Sequence, residues 1–129
     1  MSDDARELLA YARTLLGGAG TGAEGMWPRA CALLTRQALE EALAFYWTRR
    51  GTADLSRATA RSQLICLSLP ADPDMAGSVV MAWIELSNAC HLHAYELAPT
   101  AGELLRWIEV AESFSFELAA WEERADSPS

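Results

Sequence analysis

Both histidines of this 129-residue chain fall in one short run, Ser87-Asn88-Ala89-Cys90-His91-Leu92-His93-Ala94-Tyr95-Glu96. Imidazole takes and gives a proton near neutrality, so this run is where general acid–base chemistry would be sought first. On a helix Ser87 and His91 are four residues apart and Asn88 and His91 three apart, so the three share one face and can hydrogen-bond around a site. His93 lies about 200° round from His91 and joins that face only if the helix unwinds before Ala94. Two other readings stay open. The histidines can cap a helix C-terminus, where a cationic ring meets the negative end of the dipole. A zinc site from Cys90, His91, His93 and Glu96 is the weakest, because adjacent or alternate helix positions point apart and no CxxC or HxxxH pair accompanies them. No metal or cofactor is expected.

Other signatures of chemistry are missing: there is no GxSxG elbow, no phosphate loop with lysine and no GxGxxG turn. The glycine-rich stretch 17–25 follows no strand and reads as a linker, not a phosphate cradle. The acid pairs Glu40-Glu41 and Glu122-Glu123 are adjacent rather than facing, and read as solvated surface.

The elements that must position the run are helices. Leu8, Ala12, Leu15 and Leu16 make one face of a first helix that begins after Ser2. Trp27 to Arg50 reads as a long central helix, with Pro28 in its first turn and Gly51 just past its end. A third helix is expected from about Ala53 to Leu69, bounded by Gly51 and Pro70. The fourth starts at Asp72-Pro73-Asp74 and carries Met75, Val79, Trp83, Leu86 and Cys90 at helical spacing, with Val80, Ile84, Ser87 and His91 beside them. The fifth opens on a capping box, Thr100 and Glu103, and continues through Trp107, Ala111, Phe114, Leu118 and Trp121. No alternating stretch argues for a strand, so the expectation is an all-α, up-and-down bundle of about five helices in a single domain, 1–123, with a polar tail at 124–129. The double stripe on the fourth helix suits either burial on two sides within the bundle or a homodimer through the fourth and fifth helices.

Composition bounds the function. Apolar residues make up 51% of the chain, enough to build a core without a metal or disulfide, and Cys31, Cys66 and Cys90 read as buried free thiols. No apolar run approaches the roughly 20 residues of a membrane span, and residues 1–7 carry acids where a signal peptide carries bases. A cytoplasmic protein is expected. All ten bases are arginine, set against eighteen acids. Residues 1–61 carry a net +1 and residues 62–129 a net −9, so nonspecific coating of nucleic acid is excluded and any RNA contact has to be local.

Two stretches resemble a known family. Arg36-Gln37-Ala38-Leu39-Glu40-Glu41-Ala42-Leu43, followed by Arg49-Arg50-Gly51, resembles the second helix of HEPN domains. The polar run with its histidines, a tyrosine two residues past a histidine and then a proline, is similar to the HEPN active-site region. The resemblance implies an all-α, usually dimeric protein, and often a metal-independent ribonuclease using an arginine, a following polar residue and a histidine. Members act as toxins or defence effectors, and some pair with a minimal nucleotidyltransferase; others are inactive. On this chain the polar residue falls on Asn88, the histidine on His93 with His91 as second choice, and the tyrosine on Tyr95. The arginine position falls on Ser87, which cannot hold a phosphate as a guanidinium does. His91, one helical turn from Ser87, or an arginine from another helix, such as Arg29 or Arg36, is the expected substitute if the chain cleaves RNA. The resemblance therefore points to a degenerate member that acts by binding a protein or nucleic-acid-processing partner in a bacterial defence or toxin–antitoxin setting. A working ribonuclease and a ligand-free structural homodimer are the alternatives.

Overall fold

The computed structural model describes residues 3–17, 27–51, 53–67, 73–90 and 98–126. Among them are six helices and no strand: α1 (Asp3–Gly17), α2 (Trp27–Arg49), α3 (Ala53–Ser56), α4 (Ala60–Leu67), α5 (Pro73–Cys90) and α6 (Ala101–Asp126). The fold class is the all-α bundle expected.

The four long helices run up, down, up and down, and the side-chain pairing shows it. Arg36 lies beside Cys90 and Glu40 beside Trp83, so α2 and α5 are antiparallel. Glu85 meets Arg106 and Trp107, while Ser78 shares a groove with Val110 and Ser113, so α5 and α6 are antiparallel. Arg13 pairs with Glu112 and closes the ring between α1 and α6. α2 packs against every other described helix. That central place follows from its wide apolar face: Cys31, Ala38, Leu39, Ala42 and Leu43 are all essentially inaccessible to solvent. They meet Leu9 of α1, Leu67 of α4, Val79 and Leu86 of α5, and Leu104, Ile108 and Phe114 of α6 in one core.

The helix ends follow the local chemistry of the sequence. Gly51 adopts φ +79° after α2, where its amide donates to the Thr48 carbonyl (3.1 Å) and the Arg50 amide donates to that of Tyr46 (3.1 Å). A left-handed residue is needed there, and glycine supplies it without a Cβ clash. At α6 the capping box is reciprocal: the Thr100 amide donates to Glu103 Oε1 and the Glu103 amide to Thr100 Oγ1, both at 3.1 Å.

The third expected helix is broken in two. Thr59 is the cause, because its Oγ1 accepts from the Ser62 amide (3.2 Å) and its carbonyl accepts from the Gln63 amide (3.0 Å), so a new helix starts there. The buried Gln63 side chain then donates back to the Ala58 carbonyl at 3.1 Å, fixing the kink. Of the three free cysteines only Cys31 is fully buried; Cys66 and Cys90 are half-buried. The second stripe on α5 is likewise only partly covered: Val80 is half-buried and Ile84 is 43% exposed. No described helix is long and apolar enough to cross a membrane.

Candidate functional site

Of the five residues singled out for chemistry, Ser87 and Asn88 lie within the described residues; His91, His93 and Tyr95, with Glu96, lie outside them. Successive residues on a helix diverge by about 100°, and Ser87 and Asn88 are accordingly directed to different surroundings. Asn88 is exposed and lines a 390 Å³ groove with Glu85 of α5 and with Pro99, Thr100, Glu103 and Trp107 at the start of α6. Ser87 is half-buried, and its Oγ is shut off from solvent with no hydrogen-bond partner among the described residues.

Ser87 sits between Trp83 and Cys90 on one face of α5, four residues after the first and three before the second. Both of those residues touch Arg36 of α2. The Arg36 guanidinium carbon stands 5.7 Å from the centre of the Trp83 ring, within cation–π range. Arg36 Nε donates to Glu40 Oε1 at 3.1 Å, and Trp83 Nε1 donates to the same oxygen at 3.2 Å. Burial pushes the Cys90 thiol above its ordinary pKa, with Arg36 pulling the other way. The structure thus places an arginine against the face of α5 that carries Ser87, the position to which the HEPN resemblance assigned an arginine. Of the two arginines considered for that role this is Arg36; Arg29 is half-buried in the first turns of α2 and has partners of its own.

That arginine is not idle. Glu40 balances its charge, and the guanidinium lies over an indole. Glu40 itself corrects the sequence reading: it is not a solvated partner of Glu41 but a half-buried acceptor joining α2 to α5, while Glu41 is exposed. Arg36 and Glu40 at i,i+4 were visible as a pair; what the sequence hid is that Trp83, 43 residues on, completes it. A carboxylate accepting two bonds on one oxygen, with a thiol near it, is a positioning arrangement. It orients groups and balances charge.

No protein-family model, curated protein or solved structure matches this chain.

Proposed function

We propose that the chain is a HEPN-like helical protein with a degenerate site, which acts by binding a protein or nucleic-acid-processing partner in a bacterial defence or toxin–antitoxin setting. The observation that carries this reading is the state of Arg36. It is the described arginine that reaches Trp83 and Cys90, which flank Ser87 on α5, and Glu40 and Trp83 already engage it. Stabilising the charge that develops on a scissile phosphate takes a guanidinium directed at that phosphate. Here the positive charge is neutralised by a carboxylate on the same helix. The net −9 of residues 62–129 supports the same reading, since it leaves α5 and α6 unsuited to a nucleic-acid backbone and suited to a protein surface.

The test is cleavage of single-stranded RNA in chelator by the native chain beside His91→Ala, His93→Ala and Glu40→Gln. No cleavage by any of them is expected. Cleavage by the native chain that disappears in one histidine variant sinks the binding reading in favour of the metal-independent ribonuclease, because removing a general base costs on the order of 10²–10⁴-fold. Cleavage gained only in Glu40→Gln would show that Arg36 is a working substitute held in check by its carboxylate.

A further inference from the structure

α5 and α6 part along their outer side, and the cause lies in the sequence of α5. Gly77, Ser78 and Ala82 carry little or no side chain, and a Cβ added at Gly77 meets nothing within 4 Å. The result is a continuous groove whose two parts, of 650 and 390 Å³, share Asp74, Ser78, Arg106 and Val110. From Asp74 to Glu85 along α5 it is about 16 Å long, three turns of helix. Its floor is apolar: Val79 is buried and Met75 and Val110 are half-buried. Met81, on its lip, is 55% exposed, a large unbranched side chain of the kind that adapts to a docked partner.

The rim is charged, and its net charge is negative. Asp74, Glu109 and Glu117 stand exposed around the groove, and none of them makes a hydrogen bond or ion pair with another described residue; Glu109 also interacts electrostatically with Arg13 of α1. The remaining charges along it, Arg106 and Glu85, cancel in their own ion pair at 2.6 Å. An apolar trough between three carboxylates that hydrogen-bond or ion-pair with no described residue is complementary to a helix that is apolar on one face and basic at its edges.

We infer that the α5–α6 groove docks a basic amphipathic helix of a protein partner. This deepens the binding function proposed above, on which it rests. A second copy of this chain fits the groove badly, because a two-fold dimer over it sets the three carboxylates of one copy against the same three of the other.

The probe is a fluorescent amphipathic Leu–Lys helix of about 18 residues, five turns, titrated with the full chain; a Leu–Glu helix of equal length is the control. The native chain is expected to bind the first and not the second. Neutralising the rim as Asp74→Asn, Glu109→Gln and Glu117→Gln together is expected to weaken binding about tenfold, the combined loss of three surface ion pairs. Neutralising three exposed acids elsewhere, Glu7→Gln, Glu41→Gln and Asp54→Asn, is expected to change it less than about twofold, by distance and screening. Ser78→Trp, at an exposed position that fills the trough, is expected to abolish binding with helicity retained. Equal weakening by the two acid triples, or full binding by Ser78→Trp, overturns the proposal. A native chain that is dimeric by light scattering and becomes monomeric in Ser78→Trp overturns it too, by giving the groove to a second copy. The functional reading fails separately: RNA cleavage in chelator sinks that reading and leaves the groove result standing.

Discussion

α5 is held on both flanks by the same three residue types, wired differently. On the α2 side Arg36 and Glu40 are one turn apart on a single helix, and Trp83 of α5 reaches their shared oxygen at 3.2 Å. On the α6 side Glu85 stands alone on α5, and one of its oxygens accepts from both Arg106 Nη2 (2.6 Å) and Trp107 Nε1 (2.7 Å) of α6. The first arrangement has one bond between helices and one within a helix. In the second, both bonds cross. Burial differs as well, since Trp107 is 3% exposed and belongs to the core while Trp83 is half-buried. The α6 clasp therefore ties down a core tryptophan across two helices, whereas the α2 clasp holds a half-buried one and is the clasp that engages Arg36 beside Cys90.

The largest break in this comparison comes from the indoles. Trp107→Ala removes a buried ring from the core and is expected to cost about 3–5 kcal/mol, as large-to-small changes in cores do. Trp83→Ala, at a half-buried position, is expected to cost about 1–2 kcal/mol, within the ordinary range of single substitutions. Urea unfolding of both variants decides it, and equal costs would mean that the two flanks carry the fold alike.

How far the sequence showed this depends on the distance between partners. The capping box of Thr100 and Glu103 was legible because its residues are three apart and its bonds are local. The α5 face was legible for the same reason: Val79 and Leu86 repeat at helical spacing and are buried. The split of the third helix was not, because Thr59 reads equally as a helix-interior residue until its hydroxyl is seen capping Ser62. Glu40 was misread because adjacent acids such as Glu40-Glu41 usually lie on a solvated face; the indole that desolvates it comes from another helix. At the candidate site, the departure at Ser87 was plain in the sequence, whereas the approach of Arg36 from α2 is a tertiary fact. His91, His93 and Tyr95 lie outside the described residues, so the acid–base reading still rests on the sequence.

The carboxylates sharpen the same contrast at a smaller scale. Glu85→Ala leaves the indole N–H of a core tryptophan without an acceptor and frees Arg106, and an unsatisfied buried donor costs about 1–3 kcal/mol. A loss of about 2 kcal/mol is expected. Glu40→Ala strands a half-buried N–H and a guanidinium that water can still reach, and about 1 kcal/mol is expected. In a double-mutant cycle Glu85 is expected to couple to Trp107 more strongly than Glu40 does to Trp83, by measurement of all six single and double variants.

The smallest effect separates the flanks by pH. Arg36 is part of an i,i+4 ion pair at half-exposed positions, so Arg36→Gln is expected to cost no more than about 0.5 kcal/mol at pH 7; Arg106, more exposed still, is expected to behave alike. At alkaline pH they part. Burial holds the folded Cys90 thiol above its ordinary pKa, and Arg36 opposes that rise. A group whose folded pKa is raised stabilises the fold fully below its unfolded pKa, and that contribution is lost as pH climbs through the folded value, because the unfolded chain gives up its proton first. Stability therefore falls as the medium is made alkaline, Cys31 and Tyr46 adding to the fall for the same reason of burial. Without Arg36 the folded thiol rises further and the fall steepens, whereas Arg106, whose clasp contains none of the described cysteines, leaves the slope as it was. Unfolding midpoints at pH 7 and about pH 9.5, one unit above an ordinary thiol, test this: Arg36→Gln is expected to lose more between the two than either the native chain or Arg106→Gln. Parallel losses in all three would remove Cys90 from the influence of Arg36, and with it the electrostatic distinction between the α2 and α6 flanks of α5.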